Sequence, residues 1–392
     1  MNRATNQDSR RAMHFVLLVG ALSFFADFTY EGARSVLGPF LASVGASATI
    51  IGIVSGFGEL TGYGLRIVSG AAADTTRRFW PIAIVGYVVQ MASVPALALV
   101  QSWQAAACLI VLERVGKAIR NPPRDVMLSS AGQHIGGYGW AFGIHEACDQ
   151  FGAMVGPLVV AAVIARHGDY GMAFATLAIP AVINLILLTV ARLVFPRPED
   201  MERRMAQAYV AGGFPVRYWI YLAGAGLVAA GFADYSLIAY HWVRSDTLGT
   251  RWIPIFYAVA MAVSGGASLA FGRLFDRFGF RVLILLTAVS LLFAPLVFLG
   301  DDPRFALAGA VVWGMGMGVH ESIIPAAVAP MVAPTRRASA FGTFTAVYGV
   351  CWFVGSALIG WIYDHGVTGA VIFCLATQAV AIPIFVWVSR RE

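Results

Sequence analysis

Stretches of apolar sequence, each long enough to cross a lipid bilayer, follow one another along this chain with only short polar breaks, and that repetition restricts its fold more than any other feature. A spanning helix needs about 20 apolar residues. Runs of that kind are read at 13–42, 48–73, 79–100, 103–122, 139–165 and 171–195, and again at 216–243, 252–275, 281–300, 303–328, 338–363 and 368–388. The composition agrees, with 59% hydrophobic and 12% charged residues, where soluble domains carry about 25% charged. Twelve spans consume about 240 residues, which leaves no room for a large extramembrane catalytic or binding domain.

The net charge of +6 is carried almost wholly by arginine, since Lys117 is the only lysine. The arginines recur at alternate loops rather than in one block, which argues for membrane topology and against a nucleic-acid patch. Arg10, Arg11, Arg77, Arg78, Arg124, Arg273, Arg277, Arg281, Arg390 and Arg391 fall on one side, and only Arg166, Arg244, Arg251 and Arg304 on the other. The positive-inside rule then puts both termini in the cytoplasm and requires an even number of spans. The first apolar run is expected to be an uncleaved span. Cys108, Cys148, Cys351 and Cys374 all lie inside apolar runs at no framework spacing, so they read as small hydrophobes.

The two sets of six runs are related. Phe25-Ala26-Asp27-Phe28-Thr29 recurs as Phe232-Ala233-Asp234-Tyr235-Ser236, Gly70 and Asp74 recur as Gly272 and Asp276, and Ala141-Phe142-Gly143 recurs as Ala340-Phe341-Gly342. The offsets of 207, 202 and 199 keep the same order within each half. An internal repeat of this kind predicts a six-helix bundle at 1–195, a cytoplasmic linker at 196–215 and a second six-helix bundle at 216–392, with a solute site near the midplane.

At these residues the chain resembles the major facilitator superfamily. Gly272-Arg273-Leu274-Phe275-Asp276-Arg277-Phe278-Gly279-Phe280-Arg281 is similar to that family's G-x-x-x-D-R-x-G-x-R loop. Its partner, Gly70 to Arg78, keeps the Gly, the Asp and a basic pair but lacks the second Gly. The resemblance implies a gating role for Asp74, Arg78, Asp276 and Arg277. Gly152-Ala153-Met154-Val155-Gly156-Pro157 looks like the family's G-x-x-x-G-P motif, associated with antiporters, although Ala161 stands where a further Gly is expected. Small residues four apart also serve plain helix packing. The stretch from Glu113 to Asp125, with Ala141 to Glu146, resembles a widespread prokaryotic subgroup. The resemblance as a whole implies an all-α membrane protein of twelve transmembrane helices in two pseudo-symmetric bundles. It further implies alternating access in the cytoplasmic (inner) membrane, with the first, fourth, seventh and tenth spans lining the path.

Ionisable side chains within spans cost about 3 kcal/mol each by insertion scales and mark function by default. Asp27, Glu31 and Arg34 stand at i, i+4 and i+7, within about 60° of one another around a helix, and so share a face. Asp234 and His241 repeat the seven-residue spacing in the second half. The fourth span offers Glu113, Lys117 and Arg120 with Arg114 beside them, the fifth offers His145, Glu146 and Asp149, and the second adds Glu59 and Arg66. A buried carboxylate alternately desolvated and paired can load and release a proton. Proton coupling is therefore expected in the first half, led by Asp27 with Glu31, Glu113 and Asp149 behind it, and with Arg34 and Arg114 as partners. Substrate contacts are expected from Arg34, Arg114, His145, Glu146, Asp234, His241, Trp313, His320 and Glu321. The competing interpretation is a permanent salt-bridge network that only fixes packing.

Other signals are weaker. His145-Glu146-Ala147-Cys148-Asp149 lacks the second His of an H-E-x-x-H zinc motif. Met315, Met317 and His320 offer soft metal ligands, but Met and Gly in a membrane helix more often pack. Trp219 and Trp252 lie near span ends, as in an interfacial belt. No G-x-x-x-x-G-K-[ST] loop is present to bind ATP. The expectation is a monomeric, proton-coupled exporter of a small organic, amphiphilic solute, partnered by the lipid bilayer and protons, with no cofactor, resident metal or nucleic acid. A metal, metal-chelate or organic-anion carrier, a transporter-like receptor and an intramembrane hydrolase remain open.

Overall fold

The computed structural model describes residues 2–132, 135, 138–196, 213–328, 331–332 and 337–391. The described residues form helices and short connections, without strands. In chain order the helices are α1 (Asn2–Arg34), α2 (Leu37–Ser43), α3 (Ala48–Thr76), α4 (Phe79–Ala96), α5 (Trp103–Gly132), α6 (Tyr138–His167), α7 (Tyr170–Thr176) and α8 (Ala178–Val194). After the linker come α9 (Val216–Ala230), α10 (Tyr235–Arg244), α11 (Ile253–Phe278), α12 (Phe280–Ser290), α13 (Phe293–Phe298), α14 (Pro303–Gly318), α15 (Ile324–Ala326), α16 (Arg337–His365) and α17 (Val367–Ser389). Residues 197–212, most of the expected linker, lie outside the described residues.

Five of the expected spans are broken, and four of the breaks share one cause. A proline ring clashes with the carbonyl four residues before it. Pro39, Pro180, Pro295 and Pro325 place that position at Ser35, Thr176, Leu291 and Glu321. These mark, in order, the gap between α1 and α2, the end of α7, the gap between α12 and α13, and a π-helical turn at Val319–Ile323 between α14 and α15. The fifth break, residues 231–234 between α9 and α10, starts at Gly231 and ends at Asp234. Joined across these breaks, the helices follow the order of the expected spans. Nine stretches among the described residues are long and apolar enough to cross a membrane. The other three expected spans fall on α3 and α5, which carry intramembrane charges, and on α14, which stops after 16 residues at the π turn.

The chain forms two compact units, and these cut across the halves expected from the repeat. One comprises residues 1–33 and 64–206, and the other residues 34–63 and 207–392. In the first unit α4 and α5 meet at backbone contact. A Cβ on Gly86 would lie 2.7 Å from Gly116 O, and one on Gly116 would lie 2.6 Å from Gln90 N. Gly152 and Gly156 of α6 likewise abut the carbonyls of Phe24 and Phe28 in α1, leaving no space for a side chain. Phe15, Leu22, Trp80, Tyr87, Met91 and Leu188 form the core of this unit, and Asn184 Nδ2 donates to Leu22 O at 2.5 Å.

In the second unit α2 lies on α10, where Gly38 abuts Ser236 O, and the first half of α3 lies on α16, where Gly52 abuts Ser356 O and Gly360 abuts Ala48 O. Asp364, near the end of α16, caps the start of α3 by accepting Ala48 N at 3.2 Å, Thr49 N at 2.9 Å and Thr49 Oγ1 at 2.5 Å. Buried aromatic donors tie the remaining helices to carbonyls, with Tyr221 on Ile324 O, Tyr235 on Ile253 O, Trp242 on Val297 O and Trp313 on Ala233 O.

The loop motif has a backbone reason. Gly279 joins α11 to α12 at φ 61° and ψ −143°, a region essentially restricted to glycine. In the corresponding loop after α3 the residue with positive φ is Arg77, at 55°. Gly279→Ala is expected to destabilise by about 1–3 kcal/mol, whereas Arg77→Gly is expected to leave stability unchanged or slightly raised. Thermal denaturation of the two variants in nanodiscs checks the contrast.

Candidate functional site

Helical spacing places Ser23, Asp27 and Glu31 along one strip of α1, and Glu113, Lys117, Arg120 and Arg124 along one strip of α5. In the first unit these strips are linked. Asp27, 8% exposed, has Lys117 Nζ at 3.6 Å and Arg120 Nη2 at 3.5 Å from its Oδ1. Arg120 is almost fully enclosed: its Nε donates to Gln90 Oε1 at 2.5 Å, its Nη1 donates to Tyr87 OH at 3.3 Å, and its guanidinium stacks 4.7 Å over the Tyr87 ring. The other end of Gln90 donates to Glu113 Oε1 at 2.7 Å, and Glu113 Oε2 lies 3.7 Å from Arg114 Nε. Arg114 and Lys117 both sit over the Tyr30 ring, at 4.7 and 4.2 Å. A continuous polar chain thus runs from Glu113 through Gln90 and Arg120 to Asp27 and Lys117.

On α6, His145 Nε2 meets Ser23 Oγ at 2.5 Å and His145 Nδ1 lies 3.5 Å from Asp149 Oδ2. Glu146 points outward, is exposed and accepts Gln150 Nε2 at 3.0 Å. The donor atoms of His145, Glu146 and Asp149 lie within 4.8 Å of one another, as a metal site requires. Their charged surroundings oppose a divalent cation, because Arg124, Arg120 and Lys117 are the electrostatic neighbours of His145.

The second unit also holds an ionic group. Arg34 Nη2 lies 3.1 Å from Glu59 Oε1 and 3.8 Å from Asp234 Oδ1. Asp234 also accepts Ser356 Oγ at 2.6 Å and Trp352 Nε1 at 3.3 Å. Arg34 thus bonds to a first-half carboxylate, Glu59 of α3, and to Asp234 at the α9–α10 break. His241 Nδ1 pairs with Tyr363 OH at 2.7 Å. His320, held by the π turn, pairs with Tyr348 OH and packs among Phe232, Trp352 and Tyr348, with ring centroids 4.3, 5.2 and 6.1 Å away. Trp313 is fully buried and its indole N–H is engaged by Ala233 O at 2.9 Å, so it acts here as packing, while Glu321 is exposed.

Of the loop residues, Arg78 and Arg277 are exposed, and the side chains of Asp74 and Asp276 lie outside the described residues. Pro157 is buried within an unbroken α6. Sequence reasoning passed over Gln90, Tyr87, Tyr30 and Ser23. Gln90 carried a signal, being a lone amide in the apolar run at 79–100.

A chain whose described residues are helical, which crosses the membrane many times and bonds acids and bases to one another inside its spans, has the build of a secondary transporter. It belongs to the Major Facilitator Superfamily, whose sequence pattern matches residues 17–300. An uncharacterised protein of Mycobacterium tuberculosis is 38% identical over 377 residues, covering 95% of this chain and 92% of its own length. An uncharacterised transporter of the same superfamily from Methanocaldococcus jannaschii is 26% identical over 368 residues, covering 91% and 90%. Among solved structures, a mutant of the nucleoside transporter NupG superposes with a TM-score of 0.77 at 15% identity, covering 96% of this chain and 99% of its own. A bacterial homologue of the human lysosomal transporter Spinster, in an inward-facing and occupied conformation, also superposes at 0.77 and 15% identity, with 97% of each chain covered.

Proposed function

We propose that this protein is a proton-coupled carrier that exports a small organic, amphiphilic solute across the cytoplasmic membrane by alternating access, with Asp27 as its principal proton-binding group. The reading includes two bundles of six helices with both termini in the cytoplasm, and a monomer as the working unit. The observation that carries it is the Asp27 carboxylate, buried in the first span and shared between Lys117 and Arg120 at 3.6 and 3.5 Å. A carboxylate in a low-dielectric site gives up its proton when a cation is present and takes one when the cation withdraws. Contacts of this length can be made and broken as helices shift. Glu31, Glu113 and Asp149 act behind Asp27, and Gly152, Gly156 and Pro157 let α6 move closely against α1. The group of Arg34, Glu59 and Asp234 joins residues of the first six spans to the seventh, which suits a gate that opens once per cycle. His241, His320 and Glu321 are the second-half residues assigned to substrate contact. The nucleoside transporter and the Spinster homologue share the fold at 15% identity, which leaves the cargo to be found by experiment.

Purified protein in liposomes with a trapped pH dye, given a proton gradient and a chemically mixed solute panel, is expected to show solute-dependent proton movement. Asp27→Asn is expected to reduce that movement to background while solute binding, followed by thermal shift, persists. Wild-type flux in Asp27→Asn removes Asp27 from the coupling role. An organic-anion cargo is the second reading, favoured by Arg114 and Lys117 gathered over one ring of Tyr30. Carboxylated solutes as the sole active members of the panel decide for it.

A further inference from the structure

Gln90 is fully buried, and neither of its amide atoms is placed by chance. Arg120 Nε can only donate, so the amide oxygen faces it at 2.5 Å, while the amide nitrogen donates to Glu113 Oε1 at 2.7 Å. The polarity of the bridge is therefore set chemically at both ends. Gly86 and Gly116 bring α4 and α5 to backbone contact beside Gln90, which sets the Gln90 backbone close against α5.

We propose that Gln90 is a positioning residue that ties the charge of Glu113 to the hold of Arg120 on Asp27, an inference that rests on the proton-coupled reading above. When Glu113 is ionised it accepts from the amide, and Arg120 is divided between Gln90, Tyr87 and Asp27. When Glu113 binds a proton, its Oε2 faces Arg114 Nε at 3.7 Å, so the proton sits on Oε1, the oxygen turned toward Gln90; that O–H needs an acceptor, and the neighbouring one is the Gln90 carbonyl. Offering that carbonyl requires the amide to turn over, which sets an N–H₂ group against Arg120 Nε–H, donor against donor. Arg120 then loses its Gln90 bond and its charge falls more fully to Asp27, which stays ionised. A proton on Glu113 thus opposes a proton on Asp27 through the orientation of one hydrogen-bonded bridge, in addition to the field between them. The other charged groups facing this pair are Arg114 and Lys117 on α5 and Glu31 on α1 around Glu113, and Lys117 on α5 and Asp149 on α6 around Asp27.

The test is a pH titration of full-length protein in nanodiscs by infrared difference spectroscopy, following the protonated carboxyl band that disappears in Asp27→Asn. Glu113→Gln imitates a protonated Glu113. It is expected to lower the proton affinity of Asp27 by about tenfold in the wild-type background, and by only about twofold beside Gln90→Leu. Gln90→Asn, which keeps the amide but cannot span both partners, is expected to behave like Gln90→Leu and serves if the leucine variant fails to fold. An equal shift with and without Gln90, or an Asp27 band that does not respond to Glu113→Gln, overturns the proposal. These titrations read proton binding whether or not protons are transported, so failure of the coupling reading shows separately in the liposome assay.

Discussion

Arg120→Met lowers the stability of the protein by about 3 kcal/mol, an expected loss of about 6–12 °C in midpoint, and Asp27→Asn added to it restores a large part. Methionine fits the space of the Arg120 stem. What it cannot supply is charge, and the substitution leaves Gln90 Oε1, Tyr87 OH and one side of Asp27 without the donor each now has. Removing one member of a buried ion pair is more damaging than removing both, because the remaining charge stays desolvated without compensation. Lys117, at 3.6 Å from Asp27, tempers the loss. Thermal denaturation of the two single variants and the double variant in nanodiscs supplies the cycle. Equal destabilisation by Arg120→Met and by the double variant contradicts the pairing and assigns the effect to packing against Tyr87.

Gly52→Val is expected to abolish the seating of residues 34–63 on the rest of the second unit and to lower transport at least about tenfold. Gly52 abuts Ser356 O with no space for even a methyl group, and both partners are main chain, which cannot turn aside as a side chain can. The added volume therefore forces α3 away from α16. Asp364 then leaves the α3 N-terminus, and Arg34 on the α1–α2 side is drawn from Asp234. A cysteine at Ser356, next to the seam, is expected to react with a small membrane-impermeant maleimide much faster in the Gly52→Val background. Asp364→Asn provides the graded control. It keeps one oxygen for Thr49 but loses the charge at the helix start, worth about 0.3–1 kcal/mol, and the second oxygen that accepts Ala48 N, so its labelling falls between. Unchanged labelling in Gly52→Val means that the seam is not closed by these contacts.

Much of this architecture is readable in the sequence because the bilayer sets the length of each span. The breaks within spans were equally encoded, in Pro39, Pro180, Pro295 and Pro325, but a hydropathy run continues through a proline and conceals the carbonyl it displaces. The candidate site was legible by residue type and helical face. Asp27, Glu113, Lys117 and Arg120 fall on the strips expected of them. Partnerships were not legible, since a face states direction but not distance. Arg34 shares a face with Asp27, yet two turns further along α1 its guanidinium meets Glu59 and Asp234. Gln90 stood out only as a lone amide in an apolar run, and its hydrogen bonds to Glu113 and Arg120 depend on a helix pairing that hydropathy does not state.

Lys117 has a further use. It is the only lysine in the chain, its side chain is 19% exposed, and its ammonium lies between the Tyr30 ring and Asp27. Apart from the terminal amine, every reagent that acylates or reductively methylates amines has a single target, and that target stands inside the polar chain itself. Isotopically labelled methyl groups on Lys117 therefore report directly on the immediate surroundings of Asp27, with no cysteine introduced and only the terminal amine as a second signal.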